Sequence, residues 1–583
     1  MLKKEIEIDG IGIEEADVHT GDFIDGMGID GHLGELFLES HGVVFDPEKA
    51  VLNEFSIRNT DLEICLTDTT ETPDSTTTDT LYWKIDLRKI ALENVSVGLK
   101  MPHDNLDMRV SLASSVLKNG YIDLHESSYA VQSFDIEGGA LVMDSTLHLQ
   151  NIDLQVDSLF YGGHDIRAIV SRFDMQERLT GLELVSTYAK LVADKKQIRL
   201  PEFRMKTPSS HMKMEAAMDW SLLDFNPTAT LKASLDAGFS KHDMSLLTGT
   251  FADTLFMKHY PDAPLNLRAD MYGRLDQLKL RTLSATLADA LDIQVQGELK
   301  HLTDSLRRGG SVDLLAVSQN LSFLPAMTGG YAVPSGARVQ GNLLMDGVRM
   351  DARLALGQTD TLMVVDTLAT LVAHYRMGDD AYSADVVIDE LDVSRFMPQD
   401  SIYEVSASLH AQGKGLDFFE SQTTFDVQGE LDKLHYGNYV LTGYDFSAGL
   451  HQHQLEAALV ADNNAMKIRA HLDGHLKTDD IAARLKMDIA KLDWQALNLM
   501  EQPFSTSHQL DFDFRTDLKK RYELEASMTN TSVKAPKRTF KTKDLHVGFG
   551  TWPDSTKAYM TAGDLDMKLQ AKGYVEDWIT QAN

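Results

Sequence analysis

Cysteine is almost missing from this chain: Cys65 is the only one in 583 residues. That excludes a disulfide framework and any metal centre built from thiolates. Basic residues are scarce beside acids, with 55 Lys plus Arg against 88 Asp plus Glu and a formal net charge of -33. Nucleic acid and anionic head groups are bound largely through Lys and Arg, so a surface of this sign makes neither a partner. No run approaches the roughly 18 to 20 apolar residues that span a bilayer. The opening Met1-Leu2-Lys3-Lys4-Glu5-Ile6-Glu7-Ile8 lacks the apolar stretch of a signal peptide. No nucleophile elbow, P-loop or zinc-protease helix is present, so no enzyme chemistry and no cofactor are expected. A large, cysteine-poor, acidic chain suits a bacterial cytoplasm or periplasm, and cysteine count does not choose between them.

What is present is hydrophobic alternation. A hydrophobic fraction of 43% is too high for a disordered acidic chain. Val295-Gln296-Gly297-Glu298-Leu299 returns as Val427-Gln428-Gly429-Glu430-Leu431, and related runs fill the sequence. Period-two alternation puts one set of side chains on each side of a pleat, so each run predicts a strand with one wet and one apolar face. Leu265, Leu267, Ala269 and Met271 oppose Asn266, Arg268 and Asp270. Val405, Ala407, Leu409 and Ala411 oppose Ser406, Ser408, His410 and Gln412; Ile468, Ala470 and Leu472 oppose Lys467, Arg469 and His471; Leu510, Phe512 and Phe514 oppose Asp511, Asp513 and Arg515. These predict half-buried antiparallel strands, with Asn119-Gly120, Gly309-Gly310 and Asp473-Gly474 as turns between them.

A slower repeat punctuates the strands. Asp243-Met244-Ser245-Leu246-Leu247, Asn320-Leu321-Ser322-Phe323-Leu324, Asp392-Val393-Ser394-Arg395-Phe396 and Asp493-Trp494-Gln495-Ala496-Leu497 each set an N-cap residue before apolar positions at helical spacing. Each predicts one or two helical turns, too short to blanket a sheet. Residues 67–80 are almost wholly Thr, Asp, Glu, Ser and Pro and read as a mobile loop. The expected organisation is β repeats over 1–66, that loop over 67–80, and continuous β repeats over 81–583. The pattern is under way at both ends, which suggests a segment of a longer protein.

Candidate chemistry is thin. Gly26-Met27-Gly28-Ile29-Asp30-Gly31 fits G-x-G-x-x-G, but an alternating run follows it where a helix would have to begin, so a glycine-rich turn is the reading. His451 and His453, and His471 and His475, sit close in sequence, yet no third ligand is marked and solvated histidines account for them. The 25 methionines, Met271 and Met487 among those on the apolar parity, suit a ligand-adapting wall and also an ordinary core.

Two stretches carry a family resemblance: Trp83-Lys84-Ile85-Asp86-Leu87-Arg88-Lys89-Ile90-Ala91-Leu92-Glu93-Asn94 directly after the acidic run, and Leu200-Pro201-Glu202-Phe203-Arg204-Met205-Lys206-Thr207-Pro208-Ser209-Ser210. With the Asp- or Asn-led turns between strands, the chain resembles the AsmA-like superfamily, in particular the TamB translocation and assembly module proteins. The resemblance implies an all-β fold: a long antiparallel sheet curled into an elongated groove, a β-taco, with short interspersed helices. It implies a periplasmic, bridge-like protein of Gram-negative bacteria, anchored to the inner membrane through a part not seen in this sequence. Such a protein carries phospholipid between the two membranes, aids outer-membrane protein assembly, or does both, and an outer-membrane barrel partner would be met through further parts of the chain. The groove would be lined by Leu265, Leu267, Met271, Val295, Leu299, Val405, Leu409, Val427, Leu431, Ile468, Leu472, Met487, Leu510, Phe512 and Phe514, and the partner would be phospholipid acyl chains. The competing reading is a structural or adhesive β-repeat scaffold whose sheets cover each other and hold no lipid.

Overall fold

In a computed structural model the protein is described over residues 5–20, 27–45, 47–66, 82–248, 255–328, 330–359 and 365–575. It is 73% strand and 4% helix, so nothing but sheet can form its body. The chain divides into two compact units, Met1–Ala288 with Gln294–Thr303, and Asp289–Ile293 with Asp304–Asn583.

Among the described residues the first unit holds fifteen strands, from Glu5–His19 to Gln277–Leu287. They join chain neighbour to chain neighbour as an antiparallel meander, apart from Asp165–Glu177, which pairs with Ser186–Ala193 past the two-residue strand Glu183–Leu184, and with one departure from the all-antiparallel expectation: Glu48–Leu66 runs parallel to Lys84–Met101. A parallel pair needs a crossover of a dozen or more residues, and the stretch between Leu66 and Lys84 has that length. The acidic residues 67–80, expected to be a mobile loop, belong to that stretch and lie outside the described residues. Among the described residues the second unit holds seventeen strands, Gly309–Ser318 to Leu565–Lys572, and every described pairing among them is antiparallel. In neither unit does a described pairing join first strand to last, so each sheet is open rather than a barrel.

The strands of the first unit run to 18 and 19 residues, far beyond the usual five or six. Single left-handed residues bend them. Asn59 (φ 48°) and Asn94 (φ 51°) lie opposite each other between the pairs Arg58↔Glu93 and Thr60↔Val95, and Asn94 Nδ2 donates to Asn59 Oδ1 at 3.2 Å. Two strands on from Asn94, Gly138 (φ 63°) approaches Ala113 so closely that an added Cβ would sit 2.9 Å from the alanine's own. Each left-handed residue interrupts the extended backbone without shifting the register, and such residues aligned across neighbouring strands crease the sheet.

The same chemistry corrects the expected turns. Asn119-Gly120 lies inside Leu106–Asp123 with Asn119 at φ 52°; Gly309-Gly310 opens Gly309–Ser318; Asp473-Gly474 lies mid-strand in Met466–Lys477. Asn tolerates the left-handed region inside a strand as it does in a hairpin turn. The glycine-rich turn expected near residue 26 is also strand, since Met27–Phe45 begins there; Gly26 itself lies outside the described residues. Of the four punctuating motifs, the first forms a helix, α1 (Lys241–Thr248). The second gives a turn leading into a four-residue helix, Pro325–Thr328. The third is a single 3-10 turn, Val393–Arg395, and the fourth, at Asp493–Leu497, is a turn. Asp or Asn caps whatever follows it, and no apolar run is long enough to propagate a helix.

Buried side chains form small knots where a connection folds over a sheet margin. Ala461, Met466 and Leu497 make one, packed against Leu441, Tyr444, Ile468 and Leu492. α1 is latched by buried Asp243, which accepts hydrogen bonds from Thr207 and from Ser209 at 3.2 Å. Burial raises the Asp243 carboxyl, but the hydroxyls of Ser210, Thr207, Ser209 and Ser240 outweigh it and hold it below its usual value. The Thr207-Pro208-Ser209-Ser210 end of the second resemblance-bearing stretch is thus a docking point for a helix.

Candidate functional site

Residues paired across neighbouring strands share a face, so the register traces what each face carries. In the second unit one line runs Leu314, Gly341, Leu354, Leu371, Val386, Leu409, Gly429, Phe446, Leu459, Ala470, Met487, Leu510, Met528, Leu545, Ala562, Leu565. Two residues along each strand, a second line runs Val312, Leu343, Ala352, Ala373, Ala384, Ala411, Val427, Ala448, Ala457, Leu472, Leu485, Phe512, Ala526, Val547, Met560, Met567. Neither contains a charged or polar side chain. A third includes Val339, Leu356, Ala407, Leu431, Ile468 and Ile489 and ends on His508, whose imidazole burial holds below its ordinary pKa and therefore neutral at pH 7.

The first unit repeats the arrangement. Ile11, Leu38, Phe55, Ile90, Leu117, Phe134, Val156, Val170, Ala189, Phe203, Met214, Leu235, Ala269 and Leu283 are paired one to the next. Leu265, Leu267 and Met271 share the face of Ala269, opposite Phe239, Ala237 and Ala233.

The reverse side is polar. Parallel to the second unit's lines run Asp313, Asn342, Arg353, Val372, Asp385, His410, Gln428, Ser447, Ala458, His471, Lys486, Asp511, Ser527, His546, Thr561 and Asp566. Histidines on this side meet aspartates across strands: His410 with Asp385 at 2.6 Å, His451 with Asp426 at 2.8 Å, His475 with Asp480 at 2.9 Å. Hydrogen bonds from Arg515, then from His475, hold the Asp480 carboxyl well below the usual range. Among the described residues no three His, Cys, Asp or Glu side chains converge as a metal set.

Two stacked sheets would bury the facing apolar residues almost completely. Here all fifteen residues expected to line a groove are half-buried, Val295 and Leu299 in Leu291–Lys300 included. Others on the same lines are more open: Leu343 is 43%, Ile11 45% and Met567 56% exposed. No described helix exceeds eight residues, about 12 Å, so helices do not roof the strip. In the second unit the two unbroken lines across sixteen strands cover about 14 by 75 Å, on the order of 1,000 Å². Monomers rarely leave more than a few hundred Å² of continuous apolar surface open.

By register Leu409, Met487, Leu510, Val427, Leu472, Phe512, Leu431 and Ile468 fall on these apolar lines, which hold many further residues. Phe55, Phe134, Phe203, Phe446 and Leu459 belong to the same lines and obey the same alternation, the signal by which they could have been found. No helix among the described residues is long and apolar enough to cross a membrane. No family model matches the chain, and no curated protein matches it.

Proposed function

We propose that the chain is a segment of a bridge-like lipid carrier whose apolar strip is covered by phospholipid acyl chains. The observation that supports this most directly is the pair of unbroken apolar lines across sixteen strands of the second unit, with side chains left half-open along their length. Each fully covered Leu, Val, Ile, Phe or Met gains roughly 1.5 to 3 kcal/mol over the exposed state, so a strip of this size draws a hydrocarbon cover. A tail that must slide needs many similar shallow contacts, and a line of Leu, Ala, Val, Met and Phe supplies them. The resemblance to TamB-like proteins extends the reading: periplasmic placement, inner-membrane anchorage through the full-length protein, movement of phospholipid toward the outer membrane or support of outer-membrane protein assembly, and an outer-membrane barrel as partner.

Native mass spectrometry of gently extracted protein tests it. Phospholipid adducts that survive desolvation and disappear after organic extraction are expected. Protein that emerges free of lipid, and does not load from phospholipid vesicles, returns the strip to the scaffold reading.

A further inference from the structure

The polar side of the second unit carries a site that the lipid reading does not use. A cavity of about 660 Å³, within the range of small-molecule sites, opens there across seven neighbouring strands from Gln454–Asp462 to Ser555–Ala562. Its floor drops at Ala482, a small residue paired with His475 and Arg515. Two aromatic rings lie flat at one end. A Cβ on Gly550 would meet the Trp552 ring at 2.3 Å, and one on Gly548 would meet the Tyr559 ring at 2.1 Å, so each ring rests on a glycine with its other side turned outward. Trp552 is pinned by its indole N–H, which donates to Glu523 Oε1 at 3.0 Å. Lys557 Nζ stands 6.0 Å from the Trp552 ring centre, at the outer limit of useful attraction.

The remaining lining combines Leu455, Phe514, Leu524 and Phe549 with hydrogen-bonding groups. Glu456, Asp473, Asp513, Glu523 and Glu525 offer acceptors, and Arg484, Arg515 and Lys557 offer donors. The guanidiniums are already engaged, Arg515 with Asp480 at 2.8 Å and Arg484 with Asp513 at 3.6 Å. With carboxylates outnumbering cations, the cavity repels phosphate and other anions. A bound metal is disfavoured too, since no three ligands converge among the described residues. What suits flat rings beside mixed donors and acceptors is a ligand with apolar C–H faces and hydroxyl edges. Seven strands about 4.8 Å apart set a trough up to about 29 Å long, which suits a linear chain better than a single ring.

The geometry points to a binding cleft for a neutral linear oligosaccharide, with pyranose faces stacked on Trp552 and Tyr559 and hydroxyls bonded to the carboxylates and guanidiniums. By register Trp552, Tyr559 and these charged side chains stand on the strand face opposite the apolar lines. Although Phe514, a proposed acyl contact, also borders the cavity, the variants below touch only the polar face, so either reading can fail without the other. Saturation-transfer difference NMR on the full chain with cellotetraose, chitotetraose and maltotetraose tests it. At least one of the three should receive saturation, strongest at ring C–H protons. Trp552→Ala and Tyr559→Ala should each weaken binding about tenfold or more, while Trp552→Phe, which keeps a ring over Gly550, should retain most of it. Tyr272→Ala, an exposed aromatic of the first unit, should change nothing. Circular-dichroism melts of every variant separate loss of the ring from loss of fold. Silence from all three tetrasaccharides, undiminished binding by folded Trp552→Ala, or displacement of the saccharide by pyrophosphate overturns the assignment.

Discussion

At the scale of single residues, what matters is whether a side chain is covered by polypeptide or left for a guest. Phe512 sits in the second apolar line and is half-buried, whereas Leu450, two positions along the neighbouring line through Phe425 and Leu455, is fully buried. Phe512→Asp places its carboxylate at a surface open to water when no lipid is bound, so about 1 to 2 kcal/mol of stability should go while retained phospholipid falls by more than half. Leu450→Asp forces a charge into a closed site without a partner and should abolish cooperative unfolding altogether. Thermal melts and adduct counting on the same samples give both readings, and equal loss of stability in the two variants would mean that Phe512 is roofed by protein. The alternation made the face of Phe512 legible from sequence, because parity along a strand needs no tertiary information. It could not show that Leu450 is closed while Phe512 is open, since that depends on which connection folds over which margin.

At the scale of elements, strand identity was readable almost throughout and strand ends were not. Asn119-Gly120 and Asp473-Gly474 look like turns because Asn, Asp and Gly all accept left-handed or irregular backbone, yet here they sit inside long strands. Left-handed residues such as Asn119 interrupt an 18-residue strand without shifting its register, and Asn94 facing Asn59 is the clearest case. Asn94→Gly should leave stability within about 0.5 kcal/mol, because glycine enters the left-handed region freely. Asn94→Val should cost about 1 to 3 kcal/mol, since a β-branched side chain is strained at a φ of 51°. Urea unfolding of the two variants measures the difference, and equal midpoints would show that the crease does not depend on left-handed backbone at this position. The parallel pairing of Glu48–Leu66 with Lys84–Met101 was also illegible beforehand, because alternation fixes a strand's faces and says nothing of the direction of its neighbour.

At the scale of the whole molecule, two opposing tendencies meet. A net charge of -33 keeps copies of the chain apart in solution, while each unit presents an apolar strip that would hold copies together. Under the proposed function acyl chains would resolve the conflict by covering the strip and leaving the charged side in water; a second copy of the chain could cover it only by bringing like-charged surfaces close. The balance should therefore shift with lipid and with salt in a defined order. Stripped of lipid at low ionic strength, the chain should stay dispersed and bind a fluorescent apolar dye strongly along its open strips. Raising salt to about 1 M shortens the reach of repulsion to about 3 Å, and the stripped chain should then self-associate and lose dye binding. Phospholipid restored before the salt should prevent both, with dye fluorescence and light scattering as the measurements. Dye binding that ignores lipid, or association that ignores salt, would mean that the apolar strip and the acidic surface do not act as the two separate faces that the strand register describes.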